Sequence, residues 1–472
     1  MSILLRRLFH FTIGSFGSAL LNLITIPVIT YFITPEEYGK TSMFLVAQSL
    51  LILVINLGYD QAFAREFYEY KDKKNLLVTA LIIPFLFAIL LASGMIIFSH
   101  FFSQLLFGVR IYNGIIVALA ISVFLLILER FFLLLFRMEN RGLEFSFFNI
   151  LIKFSILVCT VLFLTNFKHN FITVIYAMIV GQMIGDFLLS IRCLSDLNLR
   201  HFQFDFDLLK KMSQFGLPIV LANFIYGLLV ITDKLFLGYL SNFEQLGLYT
   251  AAFKIASALL IFQTTFTNLW VPTAYEWYQK KKPISYFQGV SECVMGIIAL
   301  FFVLLLLFKG IIIFILPNEY QEAQYIFPFL CFYPLMMTAS STTQLGIVFF
   351  KKSYLNIIVS LIAIVVAFTL YICLIPEWGA IGAAIATGTA YIALFLAKTY
   401  FSMRIWKGFS IKRHSIVTFI LYILAFLNSF SHQLIFISIL NLSALVLLLW
   451  IYYPVIKWGI SFIRNKKSLE NG

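Results

Sequence analysis

Apolar runs of about 20 residues alternate with short breaks of charge, Pro and Asn along almost the whole chain. A run of that length crosses the hydrocarbon core of a bilayer as a helix. The pattern predicts spans at roughly 11–33, 41–59, 76–98, 111–136, 143–165, 170–191 and 214–238. Seven more follow at roughly 247–271, 286–308, 323–350, 353–375, 379–401, 415–431 and 434–456. The expected fold class is an all-α polytopic membrane protein of about 14 spans, the last pair being the weakest because one member is short. No cleavage-site pattern follows the first span, which therefore reads as a retained anchor.

Composition narrows the function. The 472 residues are 61% hydrophobic and 12% charged, with a mean hydropathy of +0.96. Fourteen spans would use about 280 positions and leave under 200 for every connection and tail. That excludes a soluble catalytic or nucleotide-binding domain, and with it a single-chain ATP-driven pump, a secreted enzyme and a transcription factor. Cys159, Cys193, Cys293, Cys331 and Cys373 form no C-x-x-C pair and fall mostly in apolar runs, where they read as packing residues. The six histidines show no metal-ligand spacing, and no phosphate-loop, nucleophile-elbow or zinc-protease pattern occurs. No catalytic constellation, metal or cofactor is expected.

The 34 Lys and Arg against 21 Asp and Glu invite a nucleic-acid reading until their positions are considered. With the N-terminus inside, 25 of the 34 fall on cytoplasmic segments and four, Lys40, Arg110, Lys168 and Lys309, on outer loops; the other five lie in spans. This asymmetry supports the span count and places both termini in the cytoplasm. The charge is spread over eight segments, so anionic lipid rather than nucleic acid is the expected contact.

A repeat lies near an offset of 208 residues. Tyr31-Phe-Ile-Thr-Pro-Glu-Glu-Tyr-Gly39 falls over Tyr239-Leu-Ser-Asn-Phe-Glu-Gln-Leu-Gly247, and Glu66-Phe-Tyr68 with Lys71 over Glu276-Trp-Tyr278 with Lys281. Six spans separate the copies, so both enter the membrane in the same direction, the arrangement of parallel-repeat transporters. The expected domains are an N-lobe at 1–206, a C-lobe at 207–405, and a terminal helix pair with a basic tail at 406–472.

Polar residues inside the spans are the candidate chemistry. Ser15, Ser18, Asn22 and Thr25 share one face of span 1, and the counterpart stripe in span 7 carries Asn223, Tyr226 and Asp233. Two readings stand for the stripes: walls of a hydrated cleft, or small-residue helix packing. Lys153 lies near the midplane and Lys254 about 10 Å from the outer end, whereas Arg130, Asp186, Lys234 and Lys398 are expected nearer an interface, within reach of snorkelling. Neither deep lysine has an acid one turn away, and the neighbours Asp233 and Lys234 are expected to point apart. The counter-charge for a deep lysine must then come from another helix, such as Asp233 or Asp186, or from an anionic substrate.

Thr34-Pro-Glu-Glu-Tyr-Gly39, Gly58-Tyr-Asp-Gln-Ala-Phe-Ala-Arg65-Glu-Phe-Tyr and Gly379-Ala-Ile-Gly-Ala-Ala384 resemble bacterial polysaccharide flippases of the Wzx type. These belong to the multidrug/oligosaccharidyl-lipid/polysaccharide (MOP) exporter superfamily, with MATE drug exporters and the lipid II flippase. The resemblance implies translocation of an undecaprenyl-pyrophosphate-linked oligosaccharide across the bacterial inner membrane, for O-antigen, capsule or exopolysaccharide synthesis. It implies that Lys153 and Lys254 meet the pyrophosphate, that Arg65 meets the headgroup on entry, and that Ser15, Asn22, Asn223 and Tyr226 meet sugar hydroxyls. Proton or sodium exchange is expected at Asp233 or Asp186. Expected partners are the lipid-linked oligosaccharide, membrane lipids, and a polysaccharide polymerase with its chain-length regulator. A MATE-type drug exporter is the nearest alternative; a membrane polymerase or ligase is the alternative from a different class, opposed by the shortness of every outer connection.

Overall fold

The computed structural model describes residues 3–196, 205–406 and 408–470, and among them every regular element is a helix. In chain order these are α1 (Ile3–Phe32), α2 (Pro35–Ile55), α3 (Tyr59–Glu66), α4 (Lys73–Ile97), α5 (Ser99–Phe107), α6 (Asn113–Met138), α7 (Gly142–Asn166), α8 (Phe171–Asp196), α9 (Phe206–Leu240) and α10 (Phe243–Ser257). They continue with α11 (Leu260–Gln279), α12 (Ile284–Leu307), α13 (Lys309–Ile313), α14 (Ala323–Leu330), α15 (Phe332–Thr343), α16 (Leu345–Phe349), α17 (Tyr354–Ile405), α18 (Lys412–Phe430) and α19 (Leu434–Glu470). Among the described residues ten stretches are long and apolar enough to cross a membrane, making this a multi-pass membrane protein. Helices answer the bilayer's demand that backbone polar groups be satisfied within the segment.

Five spans differ in form from the expectation. The second begins at Pro35 rather than near 41: Thr34 caps it by accepting from Glu37 N, and Lys40, expected on an outer loop, lies inside the helix against Glu36 and Glu37 at 2.8 and 3.0 Å. The eighth is broken between α10 and α11. The tenth is three consecutive pieces, α14 to α16. Pro328 and Pro334 withdraw backbone donors there, and the Ser/Thr run returns its hydroxyls to the backbone, Thr338 to Pro334 O and Thr342 to Ala339 O, both at 2.8 Å. Spans eleven and twelve are joined in α17, which breaks at Gly379, where φ is 50° and ψ is −126°. No residue with a Cβ holds that backbone readily, which explains a glycine at the opening of span twelve.

Two compact units emerge within the described residues. The first runs to Gly238 and takes in Asn242–Gly247; the second holds Tyr239–Ser241 and continues from Leu248. In the first unit the repeat becomes visible as structure. Asn242 caps α10 by accepting from Gln245 N at 2.8 Å, as Thr34 caps α2 at the matching position. Moreover, α2 and α10 touch through that motif reciprocally. A Cβ on Gly39 would lie 2.7 Å from the Phe243 carbonyl carbon and 3.1 Å from Gly247 N. One on Gly247 would lie 2.7 Å from the Pro35 carbonyl carbon and 3.1 Å from Gly39 N. Each copy thus presents the same glycine to the other's helix start, a local two-fold relation.

Candidate functional site

In the first unit, α7 is gripped on two sides by small residues. Gly14 and Gly17 of α1 lie where a side chain would overlap Ser146 and Ile150, and Gly14 N donates to Ser146 Oγ at 3.0 Å. From α8, a Cβ on Gly181 or Gly185 would lie 2.5 Å from Ile156 Cα or 2.8 Å from Ile152 Cα. Such close approach is the small-xxx-small packing of membrane helices. Gly185→Leu is therefore expected to force α7 and α8 apart and cut the yield of folded protein about fivefold or more, measured as membrane abundance.

That grip sets three charged side chains at one depth. Glu129 of α6, Lys153 of α7 and Asp186 of α8 are each about 15 Å from the helix end expected to face the cytoplasm. Lys153 Nζ lies 3.8 Å from Glu129 Oε1, and Gln182 Nε2 donates to Glu129 Oε2 at 3.1 Å. Asp186, only 2% exposed, interacts electrostatically with both Glu129 and Lys153 and lies beside the Gln182 side chain. This corrects two expectations: Asp186 is buried at the level of Lys153 rather than near an interface, and the ion-pair partner of Lys153 is Glu129. The sequence points to another helix for the counter-charge but through Asp233 and Asp186, passing over Glu129 beside Arg130; comparing depth helix by helix exposes it.

Next to this cluster, Arg130 grips Asp60 with Nε and Nη2 at 3.1 and 2.8 Å, leaving the guanidinium half-exposed. Arg130 therefore has an acid partner instead of merely snorkelling. A cavity of about 310 Å³ opens here, lined by Glu129, Arg130, Arg137 and Asn149 among apolar neighbours. Arg130 and Arg137 are two helical turns apart and share one face of α6. The lining carries two guanidinium groups and one carboxylate, and Asp60 offsets Arg130 from outside it, so the electropositive end of the cavity is at Arg137.

The other candidates are dispersed. Arg65 is exposed on α3, stacked 4.4 Å over the Phe215 ring and 3.9 Å from Glu66. Asn22 is exposed, Ser18 is half-buried, and Thr25 donates to Leu21 O at 2.7 Å. Asp233 pairs with Lys234, whose Nζ lies 3.2 Å from Oδ2, so these neighbours do not point apart: the flexible lysine stem folds back to its own helix. Lys254 is half-buried in the second unit. Lys398, expected to snorkel, donates to Gln344 Oε1 at 3.2 Å. The side chains of Ser15, Asn223 and Tyr226 lie outside the described residues.

The model of a family described as polysaccharide biosynthesis protein matches residues 4–276, more than half of the chain. The chain belongs to that family. Among solved structures, this polysaccharide biosynthesis protein is similar to the lipid II flippase MurJ in an inward closed conformation, with a TM-score of 0.70 at 14% identity over 94% of this chain and 99% of that one. It is also similar to multidrug resistance MATE transporters of the MOP superfamily. The inward-facing form gives a TM-score of 0.60 at 15% identity, over 84% of this chain and 96% of that one. The outward-facing form gives 0.57 at 17% identity, over 84% and 94%. A search of curated proteins returned no match. The all-helical fold expected from the sequence is the fold of this chain, and it is shared with the flippase and the MATE transporters just named.

Proposed function

We propose that this family member flips an undecaprenyl-pyrophosphate-linked oligosaccharide repeat unit from the inner to the outer leaflet of the bacterial inner membrane, with both termini cytoplasmic and by alternating access of its two repeats. The observation that carries the reading is the electropositive cavity of the first unit, set at membrane depth beside Lys153. A diphosphate entering the membrane needs cations in an otherwise apolar passage. Arg130 and Arg137 offer planar donor forks suited to phosphate oxygens, Lys153 is the deeper cation beside them, and Lys254 is the cation proposed for the second unit. Arg65 sits where a headgroup would first arrive. Asn22 and Ser18, with Ser15, Asn223 and Tyr226, are the proposed contacts for sugar hydroxyls. Membrane lipids accompany the prenyl tail, and a polymerase with its chain-length regulator would receive the product.

Deleting the gene tests the reading. Lipid-linked repeat units should accumulate on the inner leaflet; normal surface glycan in the deletion strain contradicts it.

Asp186 is the proposed coupling group. Two carboxylates and one ammonium share a partly buried site, and two ionised acids around one lysine leave an unbalanced charge that a proton removes. Sodium is the other candidate ion, and Asp233, already paired to Lys234, is the secondary site. In vesicles, an imposed proton gradient should speed translocation about tenfold, and Asp186→Asn should retain the gradient-free rate while losing the response. A wild-type rate indifferent to both proton and sodium gradients would end the coupling argument.

A further inference from the structure

The second unit contains a polar pocket that the transport reading does not use. About 290 Å³ in volume, it is lined by Ser285, Gln288, Gly289 and Glu292 of α12, Arg413 of α18, and Pro454 with Val455 of α19. Gln288 Nε2 donates to Glu292 Oε1 at 2.8 Å, and Arg413 Nη1 donates to Glu292 Oε2. Glu292 is thereby fixed from two sides. Arg413, about one third exposed, spends a single N–H on it and keeps the rest of its fork for another acceptor.

A polar layer lies behind the pair. Ser291 Oγ lies 2.9 Å from His414 Nε2 and 2.8 Å from Thr342 Oγ1. Tyr452, 2% exposed, interacts electrostatically with Arg413 and Glu292, and its hydroxyl has no hydrogen-bond partner among the described residues. The pocket also has a definite level in the membrane. Ser285 and Arg413 belong to the first turns of α12 and α18, and Val455 is two residues before Lys457 on α19, so the lining lies at a boundary between hydrocarbon and water.

We infer that this pocket binds the headgroup of a zwitterionic phospholipid bearing a primary amine. The phosphate would take the spare N–H groups of Arg413, the ammonium would donate to Glu292, and the acyl chains would leave past Pro454 and Val455. One base and one acid in a single cavity match a headgroup with both charges. Glu292 opposes a purely anionic lipid, and a quaternary amine has no N–H for it. An ion pair serving only to hold helices together needs no cavity around it.

Native mass spectrometry of the full-length protein in micelles containing equal phosphatidylethanolamine, phosphatidylcholine and phosphatidylglycerol tests the inference. One phosphatidylethanolamine per chain should be retained, favoured about tenfold over either competitor. Arg413→Gln should lose the preference, and so should Gly289→Leu, which fills the cavity and leaves the Arg413–Glu292 pair in place; thermal unfolding checks that each variant is folded. Equal retention of the three lipids, or an undiminished preference in folded Gly289→Leu, overturns it. So does binding of soluble phosphoethanolamine as tight as that of the diacyl lipid, which would assign the pocket to a free small molecule.

Discussion

Lys153→Ala is expected to stop export and also to lower membrane abundance several-fold, because it strands Glu129 and Asp186 without their cation. Breaking a buried pair by removing one partner costs about 3–5 kcal/mol. The double variant Lys153→Ala, Glu129→Gln removes one of the two stranded acids and should recover part of the abundance without recovering export. Quantitative immunoblotting of membranes beside a surface-glycan assay separates the two effects. Export restored along with abundance would show that Lys153 only balances Glu129 and takes no part in transport.

The second large effect belongs to the repeat motif. Gly39→Ala and Gly247→Ala each drive a methyl group into the backbone of the other helix start, where no side-chain rotation can relieve the overlap. Each should cost about 3 kcal/mol or more, since overpacking against backbone lies at the upper end of that class. The two-fold relation adds a sharper expectation: once one methyl has parted the helices, the second finds room. The double variant should therefore be less destabilised than the sum of the singles, by about 1 kcal/mol or more. Thermal unfolding of the purified variants provides the cycle, and strict additivity would mean that the two contacts are independent.

Much of the fold was legible because bilayer crossing is governed by length and apolarity, quantities a single chain displays. The repeat was legible from two short loop motifs, and the caps at Thr34 and Asn242 show why those residues recur: both start a helix. The breaks were less so. Gly379 lies between two apolar runs, and its positive φ is a property of the backbone that the residue type permits without requiring. The division of α14 to α16 arises from Pro328, Pro334 and a hydroxyl-rich run acting together, within a stretch whose apolar content alone reads as one span.

The charged cluster was half legible. Lys153 and Asp186 stand out as charges in apolar runs, but their meeting depends on which faces of α7 and α8 come together, and that is decided by Gly181 and Gly185. Asp60 escaped for the complementary reason: it follows its span and reads as an ordinary loop acid, while Arg130 reads as an interfacial base. Only contact between α3 and α6 joins them.

The hold of α1 and α8 on opposite sides of α7 has a mechanical consequence. Helices meshed backbone to backbone cannot slide or roll separately without first drawing apart, so these three behave as one stiff plate. Lys153 and Asp186 ride on that plate together, and in the proposed transport stroke their separation is expected to stay nearly constant. What changes is the plate's surroundings, and with them the ease with which water and protons reach a pair whose own geometry hardly alters.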